Sequence, residues 1–298
     1  VVSDLLNKPK VILIDGGCVG ARAVFTVGQL SFNEIPTGVI YGFLKEIQRV
    51  AEEYKTNDFM YFWDSKKSHR KKLFPDYKVK RSDNRTKKEI ETWKIAHEQY
   101  DELREEILPY FGWTNQFLED GYEADDLLHQ AAVQLSDKHD VIMVTSDQDM
   151  YQSLDYCTIY NPSTRKEYDR LDLLNQWGVA PDEWGKVKTL AGCKSDEVPG
   201  VPGVGEKTAI KFLRSELKRT TKVYNVIMSD IGREATRRNK PLVVLPFENT
   251  PELEFYENEF DFEAFVETCD KLGMASLMGH YSQQQWRIML NGAEPNCY

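Results

Sequence analysis

Val141-Ile142-Met143-Val144-Thr145-Ser146-Asp147-Gln148-Asp149 is the stretch that decides the fold. An apolar run rich in β-branched residues reads as a strand buried on both faces, and two acids follow as soon as this run ends. The same plan appears twice more. Val11-Ile12-Leu13-Ile14 stops at Asp15, and Phe59-Met60-Tyr61-Phe62-Trp63 stops at Asp64. Strands are therefore expected over 11–15, 58–64, 114–118 and 141–147. Between them the apolar spacing turns helical. Ile40, Phe43, Leu44, Ile47 and Val50 share one face of 37–54, and Leu127, Leu128, Ala131 and Leu135 share one face of 124–135. Strands alternating with helices predict an α/β fold, with a mostly parallel central sheet covered by helices on both faces.

Sheets of this kind bind ligands outside the C-terminal ends of their strands, which is where these acids lie. Glu123, Asp125 and Asp126 follow Gly121-Tyr122 and open the second helix. If the strand ends are neighbours, about seven carboxylates share one small volume. Like charges that close repel and raise each other's pKa unless hard cations neutralise them. The pattern implies magnesium or manganese, with phosphate as the substrate group that fits. Each acid also has a plainer reading. A lone Asp at a strand end commonly caps a helix or turn, Glu123-Ala124-Asp125-Asp126 would suit the positive end of a helix dipole, and Asp147-Gln148-Asp149 would make an Asx-turn. That reading must hold several times over, and it gives no reason for acid to follow the most apolar segments so regularly.

The bulk numbers leave room for this chemistry. A chain of 298 residues with 41% hydrophobic and 29% charged content can bury a large core, in one large domain or two moderate ones. No apolar stretch approaches the roughly 20 residues of a membrane span, and Val1 onward lacks the layout of a signal peptide. Five cysteines, widely spaced and without a CxxC pair, point to a reducing compartment and away from disulfides or structural zinc. The net charge of −10 hides a basic run. From Lys66 to Lys88 there are eleven Lys or Arg against two Asp, so charge does not exclude nucleic acid. Phe74 and Tyr77 interleave with these bases, a pairing suited to single strands, whose bases stack on rings while cations follow phosphates.

The rest of the chain divides by character. Residues 65–86 are too polar to pack, and 87–110 form a long helix with Ile90, Trp93, Tyr100, Leu103 and Ile107 on one stripe, so the insertion is expected to rise over the acidic site. Segments 171–177 and 181–191 look helical. Gly200-x-x-Gly203-x-Gly205 then makes a tight turn into a helix over 206–219, with Lys207, Lys211, Arg214, Lys218 and Arg219 along it. Exposed N–H groups at such a turn suit a phosphate oxygen. An ordinary helix connection with a solvated basic face would read the same way when taken alone.

In chain order, Leu13-Ile14-Asp15-Gly16, Phe62-Trp63-Asp64, Leu73-Phe74-Pro75-Asp76-Tyr77-Lys78-x-x-Arg81, Glu123-Ala124-Asp125-Asp126, Ser146-Asp147-Gln148-Asp149 and the run from Leu190 to Ala209 resemble the motifs of the flap endonuclease/5′-3′ exonuclease family. The bacteriophage and bacterial-polymerase-associated branch is the most similar, over about residues 10–220. The resemblance implies a PIN-like nuclease core over 1–182, carrying a helical arch insertion at 65–110. It places a helix–three-turn–helix element that grips duplex DNA at about 183–222, within a unit 183–298 whose C-terminal region packs on the core. It implies that Asp15, Asp64, Glu123, Asp125 and Asp126 surround one divalent ion, and Asp147, Asp149 and Asp196 a second. Two Mg2+ ions are expected, with Mn2+ able to substitute, and a K+ ion on turn carbonyls at Val201 and Val204.

By the same resemblance Lys78 and Arg81 meet the scissile phosphate and, with Asp15 and Asp149, form the catalytic set. Tyr77, Lys78, Lys80, Arg81, Gly203, Gly205, Lys207 and Lys211 would contact DNA. The implied activity is phosphodiester hydrolysis at 5′ ends and 5′-flap junctions, on DNA with a flap, overhang or nick. The enzyme is expected to act as a monomer in the cytoplasm (the host's, if phage-encoded), with no membrane partner. Two other readings compete: a primer-removing, RNase H-type nuclease acting on RNA–DNA hybrids, and a DNA-binding protein with a weakened site. The second draws on the one departure from the pattern. Where this branch usually has Gly-Asp-x-Ser-Asp-Asn, the chain reads Gly192-Cys193-Lys194-Ser195-Asp196-Glu197. A thiol is a poor magnesium ligand, so weaker affinity at the second ion is expected.

Overall fold

The computed structural model describes residues 8–80, 85–279 and Trp286. Its centre is a six-stranded sheet of β1 (Lys10–Asp15), β2 (Phe59–Phe62), β3 (Gln116–Phe117), β4 (Asp140–Val144), β5 (Thr158–Asn161) and β6 (Lys166–Tyr168). The spatial order is β3-β2-β1-β4-β5-β6, parallel throughout except for β6. The order of strands reverses between β1 and β4, and a crevice opens outside the strand ends at such a reversal. Register brings those ends level: Ile14 pairs with Val144, and Asp15 with Phe62. The β5–β6 hairpin departs from the sequence expectation: β5 offers an apolar run of only Ile159 and Tyr160, and β6 is a short polar strand at the sheet edge. The expected strand 114–118 shrinks to two residues at the opposite edge.

Alternate residues of the central strands feed two cores. Ile12, Ile14, Phe59 and Tyr61 face α1 (Gly16–Val27), α2 (Gly38–Tyr54), α4 (Lys87–Glu102) and α11 (Phe262–Lys271). Val11, Leu13, Met60 and Phe62 face α5 (Ala124–Leu135), α7 (Pro181–Ala191), α8 (Glu206–Leu213) and α10 (Asp230–Val243). Burial on both faces explains why these strands are apolar without alternation. Each buried Leu or Ile contributes roughly 2 kcal/mol by leaving water. The second core runs without a break from β1 into α7 and α8.

The insertion carries two helices, α3 (His69–Leu73) and α4. Thr86 and Glu89 form a capping box that starts α4, and a π-helical turn, Leu103–Ile107, interrupts the expected continuous helix before Tyr110. Tyr100, Leu103 and Ile107 are buried as the stripe requires, but Ile90 is 54% exposed. Gly20 lets α4 sit close, since a Cβ there would lie 2.4 Å from the Tyr100 ring. The expectation that 65–86 would not pack is corrected, because Arg70 and Tyr77 are buried.

Beyond the sheet, α6 (Arg170–Trp177) and α7 follow the sequence expectation. The helix expected to reach Arg219 ends at Leu213 instead. Ser215 takes a left-handed φ of 59°, and the N–H of Glu216 returns to the Lys211 carbonyl at 2.7 Å, closing the helix. Arg214, Lys218 and Arg219 therefore lie beyond it. After α9 (Lys222–Met228) and α10, an extended segment crosses back to the sheet edge. There Asn115 pairs with the backbone of Tyr256, and Trp286 stacks on Phe260 at 5.0 Å. No helix among the described residues is long and apolar enough to cross a membrane.

Candidate active site

Three strand ends supply the acids. Asp15 turns β1 into α1, its Oδ1 accepting the N–H of Cys18 at 2.8 Å, while its Oδ2 accepts the Thr145 hydroxyl at 2.8 Å from the end of β4. Asp64, after β2, accepts the N–H of Ala124 at the start of α5 at 2.9 Å. Asp147 accepts the N–H of Asp149 at 2.8 Å and so begins the 3-10 turn Gln148–Ser153. These contacts are the caps and Asx-turn of the plain reading. The convergence holds as well, for Asp15, Asp64, Asp125, Asp147 and Asp149 all line one cleft of about 1510 Å³.

The electrostatics of that cleft are strained without cations. Burial pushes the Asp15 carboxyl up to about 7, with Asp64 and Asp147 adding to the rise and the Cys18 N–H and Thr145 hydroxyl opposing it. Burial, then Asp147 and Asp15, hold Asp125 well above the usual carboxylate range. Asp149 is raised by burial and by Asp147, against the pull of Lys188. Several oxygen donors that are costly to ionise together fit hard divalent cations.

A second group adjoins the first. Asp149, Cys193 and Asp196 each bring a donor atom within 4.8 Å of the others. Lys188, buried on α7, places Nζ 2.9 Å from Asp149 Oδ1 and 3.4 Å from Glu206. The root of the insertion is stitched to this loop. The Lys78 N–H donates to the Asp196 carbonyl at 3.1 Å, and the Lys80 N–H to Glu197 at 3.0 Å. Tyr77 packs with Cys193, Val198, Leu242 and Val243 in a small third core. Lys78 Nζ donates to Glu123 Oε2 at 2.9 Å and lines the cleft. Burial alone would lower its pKa, but Glu123 and Asp196 more than offset this and keep it charged.

The structure therefore redistributes several expected roles. Asp126 is fully buried, with both oxygens held by Arg70 at 2.6 and 2.7 Å and one also by the Phe247 N–H at 2.8 Å. Its oxygens are spent on that pairing, which corrects its place among the metal ligands. Glu123 stands behind the cleft wall, accepting from Tyr77 and Lys78. The Tyr77 ring is 1% exposed and cannot stack on a base, which corrects its place among the DNA contacts. Arg81 lies outside the described residues. Lys80, Gly203, Gly205, Lys207 and Lys211 are exposed, with Gly203 at a φ of 77° and Gly205 at the N-cap of α8. Val201 and Val204 are buried in the preceding turn, where the Val201 carbonyl accepts the Val204 N–H at 2.9 Å.

Three contributors had not been singled out. Lys188 had a legible signal: it lies on the buried stripe of α7 with Trp184 and Val187, where a lysine needs a partner. Thr145, buried at the strand end beside Asp15, and Arg70, hidden inside a run of surface-like charge, carried none. On the opposite wall, exposed Phe25 meets Trp93 edge-on at 5.9 Å, and Arg85 lies 4.7 Å over the Trp93 ring. Those residues, not Phe74 and Tyr77, form the aromatic and basic lip of the cleft.

The family described as "5′-3′ exonuclease, N-terminal resolvase-like domain" matches residues 10–178. A 5′-3′ exonuclease of Buchnera aphidicola subsp. Schizaphis graminum is 31% identical over 226 residues, covering 74% of this chain and 75% of its own length. DNA polymerase I of Mycobacterium leprae is 32% identical over 217 residues, and the match covers 70% of this chain but 23% of that polymerase. Among solved structures, the T5 D15 protein co-crystallised with metal ions shares the fold, with a TM-score of 0.66 at 20% identity over 94% of this chain and 99% of that one.

Proposed function

The chain belongs to the 5′-3′ exonuclease family, and from that premise we propose that it is a structure-specific, divalent-metal-dependent 5′ nuclease hydrolysing phosphodiesters at 5′ ends and 5′-flap junctions of DNA. One observation carries the reading: acids from β1, β2, α5 and the β4 end meet in a single cleft beneath a basic insertion. Asp15, Asp64 and Asp125 would hold one Mg2+. Asp147, Asp149 and Asp196 would hold a second divalent ion beside Cys193, and Mn2+ would be able to replace the first. When bound, the ions would lower the pKa of a water to supply hydroxide and would stabilise charge on the phosphoryl oxygens.

The chain's own residues organise the rest. Thr145 fixes the Asp15 carboxylate, and Lys188 fixes Asp149. Glu123 orients Lys78, whose ammonium faces the cleft where negative charge grows on the phosphate oxygens. The Phe25, Trp93 and Arg85 lip suits a single 5′ strand, with rings for bases and cation for phosphate. On the far side Gly203, Gly205, Lys207 and Lys211 form a backbone-directed grip for duplex, sequence-independent because it reads phosphate. The turn carbonyls of Val201 and Val204 would take K+. The division near residue 182 would separate the nuclease core from the duplex grip, with Lys188 and Asp196 reaching back from the second part to the ion site.

The test uses the full chain on a 5′-labelled flap, a nicked duplex and an RNA–DNA hybrid, each with magnesium and with EDTA. Cleavage of the flap with magnesium alone is expected. Preference for the hybrid would instead make it a primer-removing enzyme. The double variant Asp147→Asn/Asp149→Asn should abolish cleavage yet still bind flap DNA; retained turnover would sink the metal assignment.

A further inference from the structure

The donor set at the second ion position is unusual for magnesium. Cys193 is buried, and its Sγ lies 3.6 Å from Asp149 Oδ2 as an S–H donor to that oxygen. The other oxygen of Asp149 is taken by the Lys188 ammonium, so the one left for an ion faces the thiol. Asp196 completes the trio, all three donor atoms lying within 4.8 Å of one another, and Cys193 also lines the cleft that solvent reaches. A cation settling among these atoms meets a sulfur whether or not it prefers one. Magnesium gains little from sulfur, whereas zinc-class cations bind thiolate and carboxylate together.

We propose that the Asp149–Cys193–Asp196 position selects a thiophilic divalent cation of the zinc class, with Co2+ and Cd2+ as substitutes, over Mg2+. The inference rests on the nuclease reading for where the ion acts, but not for whether it binds. Binding forms a metal–sulfur bond, breaks the Cys193 S–H bond and releases the proton to solvent, with no change in oxidation state.

The test is a Co2+ titration of the metal-free 298-residue chain without DNA or magnesium, followed by near-ultraviolet absorption. A thiolate-to-cobalt charge-transfer band saturating at one equivalent is expected. It should vanish in Cys193→Ser and Cys193→Asp, survive in Cys18→Ser, and yield to Zn2+ but not to roughly a hundredfold excess of Mg2+. Absence of the band from the wild-type protein would overturn the proposal without reference to any variant, as would its survival in Cys193→Ser or its displacement by Mg2+. A band in a protein that cleaves no flap would uphold the metal preference and defeat the nuclease reading; cleavage without the band would do the reverse.

Discussion

Lys78 is held with φ at 55°, a left-handed conformation that a side chain other than glycine adopts at a cost. Three contacts maintain it: its N–H on the Asp196 carbonyl, its Nζ on Glu123, and its stem beside the Tyr77 ring, 5.0 Å from Nζ to centroid. A strained residue pinned from several sides delivers its charge to one place, as transition-state stabilisation requires and general phosphate attraction does not. Lys78→Met should therefore lower single-turnover cleavage by about 10²–10³-fold while changing flap affinity only a few-fold. Equal losses in both would reduce Lys78 to a binding residue. The sequence named Lys78 but not its supports. Glu123 and Tyr77 were read as a ligand and a stacking surface because a motif reports which residues are present, not which atoms they spend on one another.

At the scale of elements, one buried guanidinium ties three helices together. Arg70 of α3 grips Asp126 of α5 and donates through Nε to the Leu242 carbonyl of α10 at 3.0 Å. The insertion is thereby anchored to both the sheet-covering helix and the C-terminal half. Removing one charge of a buried pair leaves the other without its bidentate partner, with only Glu123 at 3.6 Å to face it, so Asp126→Asn should cost about 3 kcal/mol in urea unfolding. The magnesium concentration for half-maximal cleavage should stay unchanged in that variant at low temperature. A raised metal requirement with unaltered stability would return Asp126 to the ligand set. The basic run shows how an element can be read correctly and its interior missed. Eleven cations in a short span predict solvent, yet Arg70 among them builds a core.

For the whole molecule, the cleft sets stability against pH. Asp15 rises from the ordinary 3.8 to about 7 in the folded protein, and Asp125 and Asp149 rise with it. A carboxyl raised on folding contributes stability that is fully present below the unfolded value and lost as pH climbs through the folded one. Metal-free protein should accordingly lose on the order of a few kcal/mol between about pH 4 and pH 7 from these groups. Asp15→Asn, neutral throughout, should gain stability over wild type as pH rises from 5 to 8, as read from thermal melts in EDTA, and saturating magnesium should erase the difference. A constant offset across that range would mean Asp15 is not under charge pressure. What the sequence alone determined was the layering: short apolar runs rich in β-branched and aromatic residues, without alternation, read as central strands, and acids at their ends gather at one edge of a parallel sheet. Which of those acids face the cleft depended on tertiary contacts. Arg70, Lys188, Thr145 and Lys78 come from distant segments, and a carboxylate's role is fixed by whichever cation or donor reaches it first.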